Sequence, residues 1–233
     1  MIVAIIPARG GSKRILGKNI KDFCGKPILA WSIEVAKASG CFDKVIVSTD
    51  DKDIAKIALQ WGAEVPFIRP LELSDDYTPT SPVICHAIEW LEANEGKVDY
   101  ACCIYATAPF IIIQDLLSGW RKINKSEFDY AFSVSSYSFP VQRALQINVN
   151  DQISMMHPEH LLTRSQDLPE AFHDAGQFYW GTSKAWCENK PIFGRASVPV
   201  KLPRHRVQDI DSLEDWTRAE WMFKSMLLRD KIF

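Results

Sequence analysis

Ile2-Val3-Ala4-Ile5-Ile6-Pro7-Ala8-Arg9-Gly10-Gly11-Ser12-Lys13-Arg14 joins a short apolar run to a glycine-rich, basic loop that continues to Gly17-Lys18-Asn19. A continuous run of apolar residues this short, closed by proline and glycine, reads as a buried strand. The two adjacent glycines let backbone N–H groups approach a phosphate, and Arg9, Lys13, Arg14 and Lys18 supply charge to neutralise it. The placement fits, because ligands of open α/β sheets bind beyond the carboxyl ends of the strands. Two familiar phosphate templates fail here. A GxxxxGK[ST] loop is excluded because Asn19 follows Gly17-Lys18, and GxGxxG is excluded because the glycines are adjacent.

Outward from this loop, strand and helix signals alternate. Pro27 stands where a helix begins, with Ile28, Trp31, Val35 and Ala38 as its expected stripe. Residues 44–48 read as a strand. Ile54, Ile57, Ala58 and Trp61 fall at helical spacing, as do Ile84, Ala87, Ile88 and Leu91 in a helix starting near Thr80. Residues 101–105 and 130–135 read as strands, with a helix over 115–123 between them. Residues 177–181 resume a strand, and residues 212–228 make a closing helix with Ser212 as N-cap and Asp215 three residues on. Strands separated by helices argue for an α/β fold with a mainly parallel sheet covered on both faces. Residues 139–172 break the rhythm and read as an inserted arm, its Met155, Leu161 and Leu162 having no periodic element to bury them. Residues 1–233 are expected to form a single domain carrying this excursion.

Composition narrows the function. The chain has 233 residues, 47% hydrophobic and 24% charged, with a formal net charge of −2. That balance gives no general field for long nucleic acid or an anionic membrane. The apolar runs are too short to span a bilayer, and no secretory leader is recognised, so a cytoplasmic location is expected. None of the six cysteines forms a CxxC pair, and reduced, mostly buried thiols are expected.

The string PARGGSKR with the following Lys18-Asn19 resembles the nucleotide-binding signature of the cytidylyltransferases that activate sialic acids and related nonulosonates. The resemblance extends through Cys41-Phe42-Asp43-Lys44-Val45-Ile46-Val47-Ser48-Thr49-Asp50, Arg69-Pro70, Leu73-Ser74-Asp75-Asp76 and Thr80-Ser81, and covers nearly the whole chain. It implies a Rossmann-like nucleotidyltransferase (GT-A-like) three-layer sandwich with a small dimerisation arm. The partners it implies are CTP, a nine-carbon acidic sugar and a second copy of the chain, with Mg²⁺ as cofactor. By the same resemblance Arg9, Gly11, Ser12, Lys13, Lys18 and Asn19 contact the triphosphate and ribose, while Arg69 and Ser81 address the nucleoside. Arg69 has the alternative of a surface arginine packed on Trp61 or Phe67, and Ser81 that of a helix cap.

Several family members carry an LQxTSP-like motif where this chain reads Ile104-Tyr105-Ala106-Thr107-Ala108-Pro109-Phe110. That departure, with Phe172-His173-Asp174-Ala175-Gly176-Gln177-Phe178-Tyr179-Trp180, is similar to the pseudaminic acid branch. Tyr105, His173, Gln177 and Tyr179 are therefore candidate sugar contacts. Arg164 matches an arginine suited to the sugar carboxylate, whose planar fork binds carboxylate bidentately, and Arg143 is a second cation. Asp209 and Asp211, two apart in an extended segment, place both carboxylates on one side while Ile210 turns to the core. The resemblance makes them Mg²⁺ ligands, with Arg9 and Lys18 beside them in catalysis; helix capping by Asp211 or Ser212 is the alternative. Synthetases for CMP-legionaminate or CMP-sialate, and a non-catalytic nucleotide-binding regulator, remain as rival functions.

Overall fold

A computed structural model describes residues 1–229. The apolar run after Met1 forms β1 (Ile2–Pro7), with Val3 to Ile6 wholly buried. A two-stranded ribbon, β2 (Asp22–Phe23) and β3 (Lys26–Pro27), follows the basic loop and leads into α1 (Ile28–Ala38). Then come β4 (Lys44–Ser48), α2 (Lys52–Gln60), α3 (Thr80–Asn94), β5 (Tyr100–Ile104), α4 (Ile113–Ile123) and β6 (Tyr130–Ser136). The remaining elements are β7 (Leu145–Ile147), β8 (Ile153–Met155), β9 (Phe172–Thr182), α5 (Ser183–Cys187), β10 (Ser197–Leu202) and α6 (Leu213–Arg229).

Six strands form one sheet in the order β10-β6-β9-β5-β1-β4. The pairs β10–β6, β5–β1 and β1–β4 are parallel; β9 alone runs against its neighbours, wedged between β5 and β6. Side chains of β1 alternate between two cores, as the strand period requires. Ala4 and Ile6 face α1, α2 and α4, while Val3 and Ile5 face α3 and α5. A third cluster docks α6 outside this sandwich through Phe23, Phe110, Trp216, Phe223 and Ile210. Among the described residues no helix is long and apolar enough to cross a membrane.

Several expectations need correction. The expected α1 stripe is only in part its core face: Val35 packs with Leu29, Ile33 and Ala36 against the sheet core, whereas Ile28 and Trp31 meet the α6 cluster and Ala38 is exposed. The helix is clamped on two sides, so a single stripe misdescribes it. The arm is not devoid of regular structure, since β7 and β8 pair as a short hairpin, yet Leu145, Ile147, Ile153 and Leu162 stay exposed. Strand β9 begins five residues earlier than expected, and β10, α5 and the β2–β3 ribbon were not foreseen. Only Cys102 and Cys103 of the six thiols are fully buried, and Cys187 is exposed.

Candidate active site

The basic loop sits at the carboxyl end of β1, between the ends of β4 and β5. It lines a cleft of about 560 Å³ together with Arg69, residues 78–80 of the α3 approach, and Tyr105 to Thr107 after β5. Backbone contacts fix its base: Ala8 N–H donates to the Ser48 carbonyl at 2.9 Å. Asn19, nearly buried, donates from its amide to the Arg9 carbonyl at 2.9 Å. The Gly10 N–H donates to Asp50 Oδ1 at 3.0 Å. A side chain cannot be added at Gly10, because its Cβ would fall 2.4 Å from Asp51 Oδ2. Asp51 in turn caps α2, its Oδ1 accepting from the Asp53 and Ile54 N–H groups. One glycine thereby seats the loop against a helix cap. Gly11, by contrast, faces open space.

The cations of the loop divide into two groups. Arg9 donates to the Asp75 carbonyl at 2.9 Å and to Asp76 Oδ1 at 2.5 Å, and Lys13 Nζ donates to Asp76 Oδ2 at 2.5 Å. Arg14 and Lys18 turn the other way, to Asp211 Oδ1 at 2.8 and 3.6 Å, and Lys18 Nζ also donates to the Ile210 carbonyl at 2.7 Å. Arg69 is only 4% exposed, which overturns the reading of a surface arginine. Burial pulls its pKa down while Asp50, 3.7 Å from its guanidinium, acts against that shift.

The segment carrying Asp209 and Asp211 has no regular structure, so its position rests on side chains. Ile210 is buried in the α6 cluster between the two acids. Upstream, Arg206 forms a two-bond fork with Asp115, with Nη1–Oδ2 at 2.5 Å and Nη2–Oδ1 at 3.1 Å. Downstream, Asp215 Oδ2 accepts from Ser212 N–H and Oγ, and Asp215 N–H donates back to Ser212 Oγ, a reciprocal cap for α6. Asp215 and Ser212 thus satisfy the cap, leaving the carboxylates of Asp209 and Asp211 out of it. Protein atoms crowding the Asp209 carboxyl raise its pKa first, and the nearby Asp211 charge raises it further. Like charges placed this close to each other suit a cation. Among the described residues no cluster of three or more His, Cys, Asp or Glu is placed to hold a metal, so such an ion would need oxygen ligands from substrate.

Other sequence-derived candidates fall in different places. Tyr105 and Thr80 line the cleft, their hydroxyls 3.3 Å apart. Ser81 does not line it; it is buried in the first turn of α3, whose cap position is Pro79. Ser81 is therefore no cap either. Tyr179 is buried beside Tyr105 and donates to Asp174 Oδ2 at 2.5 Å; burial first, then Tyr105 and Asp174, pushes its pKa well up. Gln177 does not reach the cleft. It is 2% exposed, and its amide donates to the Arg206 carbonyl at 2.5 Å, because β9 is covered on both faces and its residues 177–181 are all buried. His173 packs edge-on to Tyr137 near the arm, and its Nδ1 lies 2.8 Å from the Asp174 carbonyl. Arg143 reaches Ser165 and Arg164 pairs with Asp167, both on the exposed arm and outside this chain's cleft lining. The residue that sequence reasoning missed is Asp76. Its segment enters the sequence reading only as part of the family resemblance, and pairing across more than sixty residues leaves no local signal.

A cytidylyltransferase family model matches residues 3–214. A pseudaminic acid cytidylyltransferase of Campylobacter jejuni subsp. jejuni serotype O:2 is 46% identical over 222 residues, covering 95% of this chain and 96% of that protein. A CMP-N,N'-diacetyllegionaminic acid synthase of Legionella pneumophila subsp. pneumophila is 32% identical over 229 residues, covering 94% of each. The solved structure of CMP:2-keto-3-deoxy-manno-octonic acid synthetase, complexed with CTP, shares the fold with a TM-score of 0.68 at 16% identity, covering 97% of this chain and 99% of that one. By the family match over residues 3–214 and relatives aligned along almost their entire length, this chain belongs to the cytidylyltransferase family.

Proposed function

We propose that this chain is a cytoplasmic enzyme that transfers CMP from CTP to pseudaminic acid and releases pyrophosphate, with residues 1–233 acting as one catalytic domain. The carrying observation is the basic loop lining the cleft: it presents Arg9 and Lys13 toward Asp76 on one side and Arg14 and Lys18 toward Asp211 on the other. The 46% identical relative supplies the sugar. In the reaction the anomeric oxygen loses its proton to solvent and bonds to the α-phosphorus. The bond from that phosphorus to the α–β bridging oxygen breaks, and pyrophosphate keeps the electron pair.

The roles follow from charge and position. Arg9 and Lys13 bind the departing phosphates, with the Gly11 and Ser12 backbone shaping the turn and Asn19 holding the Arg9 carbonyl. Lys18, fixed by the Ile210 carbonyl, stands between loop and carboxylates, where it stabilises charge growing on phosphate oxygens. Arg69, desolvated and aimed into the cleft, holds the nucleoside end. Asp209 and Asp211 would hold Mg²⁺, and their mutual repulsion with Ile210 anchored between them supports that assignment. When bound there, the ion neutralises phosphate charge and orients the α-phosphate. Tyr105 and Thr80 offer hydroxyls to the sugar, and Tyr179 braces Tyr105 from behind.

Arg143 and Arg164 sit on the arm outside this chain's cleft lining, so we assign them, with His173, to the sugar in a neighbouring subunit's site. The arm's apolar surface supports a homodimer: Phe139, Val149 and Leu162 are each more than 80% exposed. A stable, active monomer in sedimentation at assay concentration would refute that assembly.

A pyrophosphate-release assay with CTP, Mg²⁺ and a panel of pseudaminic, N-acetylneuraminic and legionaminic acids tests the whole reading. Pseudaminic acid should turn over fastest by a wide margin, because a pocket that pairs particular hydroxyls rejects the wrong stereoisomer. Equal rates with N-acetylneuraminic acid would refute the sugar assignment. CTP binding without pyrophosphate release from any of the three would make the chain a nucleotide-binding regulator.

A further inference from the structure

Two adjacent acids precede α3 and have different structural roles. Asp75 folds its carboxylate back on its own chain, accepting from the Tyr77 and Thr78 N–H groups and from the Thr78 hydroxyl. That turn leaves the next side chain, Asp76, pointing across the cleft. Its two oxygens each take one cation of the phosphate loop, Arg9 at 2.5 Å and Lys13 at 2.5 Å. Lys13 is otherwise 81% exposed, and Asp76 is its single charged partner among the described residues. The Lys13 and Arg9 hydrogen bonds hold the Asp76 carboxyl below the usual carboxylate range, so it stays charged throughout the neutral range.

A carboxylate with both oxygens on a guanidinium and an ammonium imitates a bound phosphate in charge and geometry. We infer that Asp76 is an internal competitor for the phosphate-binding cations, which CTP must displace and which returns to expel pyrophosphate after transfer. This inference rests on the assignment of Arg9 and Lys13 to the departing phosphates. Tethering gives the carboxylate an effective concentration in the millimolar range or above, enough to compete with a free anion but not to exclude a multiply charged one. Asp76 is itself one-third exposed, so rotation of its side chain frees Lys13 and leaves Arg9 held by the neutral Asp75 carbonyl alone among the described residues. The same residue therefore weakens substrate and product binding together. That shortens the stay of pyrophosphate, whose release would otherwise be slowed by the contacts that bound it as part of CTP.

The experiment measures binding of inorganic pyrophosphate, as its magnesium complex, by calorimetry to the intact chain and to Asp76→Asn and Asp76→Ala. Both variants should bind about two- to thirtyfold more tightly, the range spanned by two exposed ion pairs. In steady state the inhibition constant for pyrophosphate against CTP and the KM for CTP should fall together. The KM for the sugar should hold, and kcat should drop as release slows. Affinity within twofold of the parent in both variants would overturn the inference. Weaker binding would overturn it too, by making Asp76 a ligand of the magnesium complex rather than its rival. A third arm separates this from the reading beneath it. If Arg9→Ala and Lys13→Ala leave pyrophosphate affinity untouched, the phosphate assignment of the loop is wrong and the competitor has nothing to compete for.

Discussion

Replacing Asp115 with alanine should damage both the fold and the metal response, because this one carboxylate anchors the segment that carries Asp209 and Asp211. The Asp115 and Arg206 side chains are 10% and 12% exposed and share two hydrogen bonds. Asp115 Oδ2 also accepts from the Ile112 N–H at 3.3 Å at the start of α4. Without it, a nearly buried guanidinium keeps, among the described residues, only the Phe110 carbonyl at 3.3 Å. Breaking one side of a buried pair costs about 3–5 kcal/mol, and the residual exposure here places the loss near the lower end. For a chain of this size that corresponds to a Tm lower by roughly 6–12 °C. Urea unfolding of Asp115→Ala, Arg206→Met and the Asp115→Leu/Arg206→Met double variant checks the argument. The double variant should recover much of the loss, since an apolar pair leaves no buried charge unmatched. In parallel, the Mg²⁺ concentration for half-maximal turnover should rise in Asp115→Ala, because Arg206 stands three residues before Asp209. Destabilisation below about 1 kcal/mol with unchanged Mg²⁺ dependence would refute the anchoring argument.

Three further outcomes test other parts of the site. Arg9→Ala should raise the KM for CTP by about ten- to a hundredfold with the sugar KM unchanged, as loss of a charged hydrogen bond implies, and Lys13→Ala by less because that side chain is mostly solvated. Asp209→Ala should lose turnover at ordinary Mg²⁺ while its circular dichroism and melting stay near the parent; near-normal activity with the same Mg²⁺ dependence would remove the metal site. Gly10→Ala should lower the Tm by about 2–4 °C, since its Cβ displaces the Asp51 cap and loss of a cap costs about 1 kcal/mol.

The parts of the fold that were legible in the sequence are those where burial is periodic or continuous. The Ile84, Ala87, Ile88, Leu91 stripe is buried as expected, with all four side chains at 0% exposure. The run before Pro7 forms a strand buried on both faces between β5 and β4, with the basic loop at its carboxyl end. Less visible was β10, a six-residue edge strand whose Val198, Val200 and Leu202 alternate inward against exposed Pro199 and Lys201, because a proline in so short a run argues against a strand except at an edge. Gln177 is a candidate sugar contact through the family resemblance alone, which does not say what its side chain meets. In a strand covered on both faces it instead holds a backbone carbonyl on a neighbouring segment. The pairs that shape the site, Asp76 with Arg9 and Lys13 and Asp115 with Arg206, join residues more than sixty positions apart. Composition and spacing carry no trace of such pairing, since any exposed acid could serve any exposed base.

The lone antiparallel strand has an evolutionary consequence. Ser136 at the end of β6 stands opposite Phe172 at the start of β9, as the last and first rungs of one ladder. A tight reversal of two residues would close that ladder, so everything from Tyr137 to Ala171 is, to the sheet, a hairpin loop drawn out. Such a loop can be lengthened, shortened or exchanged between lineages without shifting the register of any core strand, because its length enters folding only as a slowly growing closure entropy. The residues assigned to the phosphates lie on the loop after β1, the approach to α3 and the lead into α6, none of which the arm interrupts. Nucleotide chemistry and the outer surface of the molecule are thus inherited on separable stretches of chain, and the second can diversify while the first stays fixed.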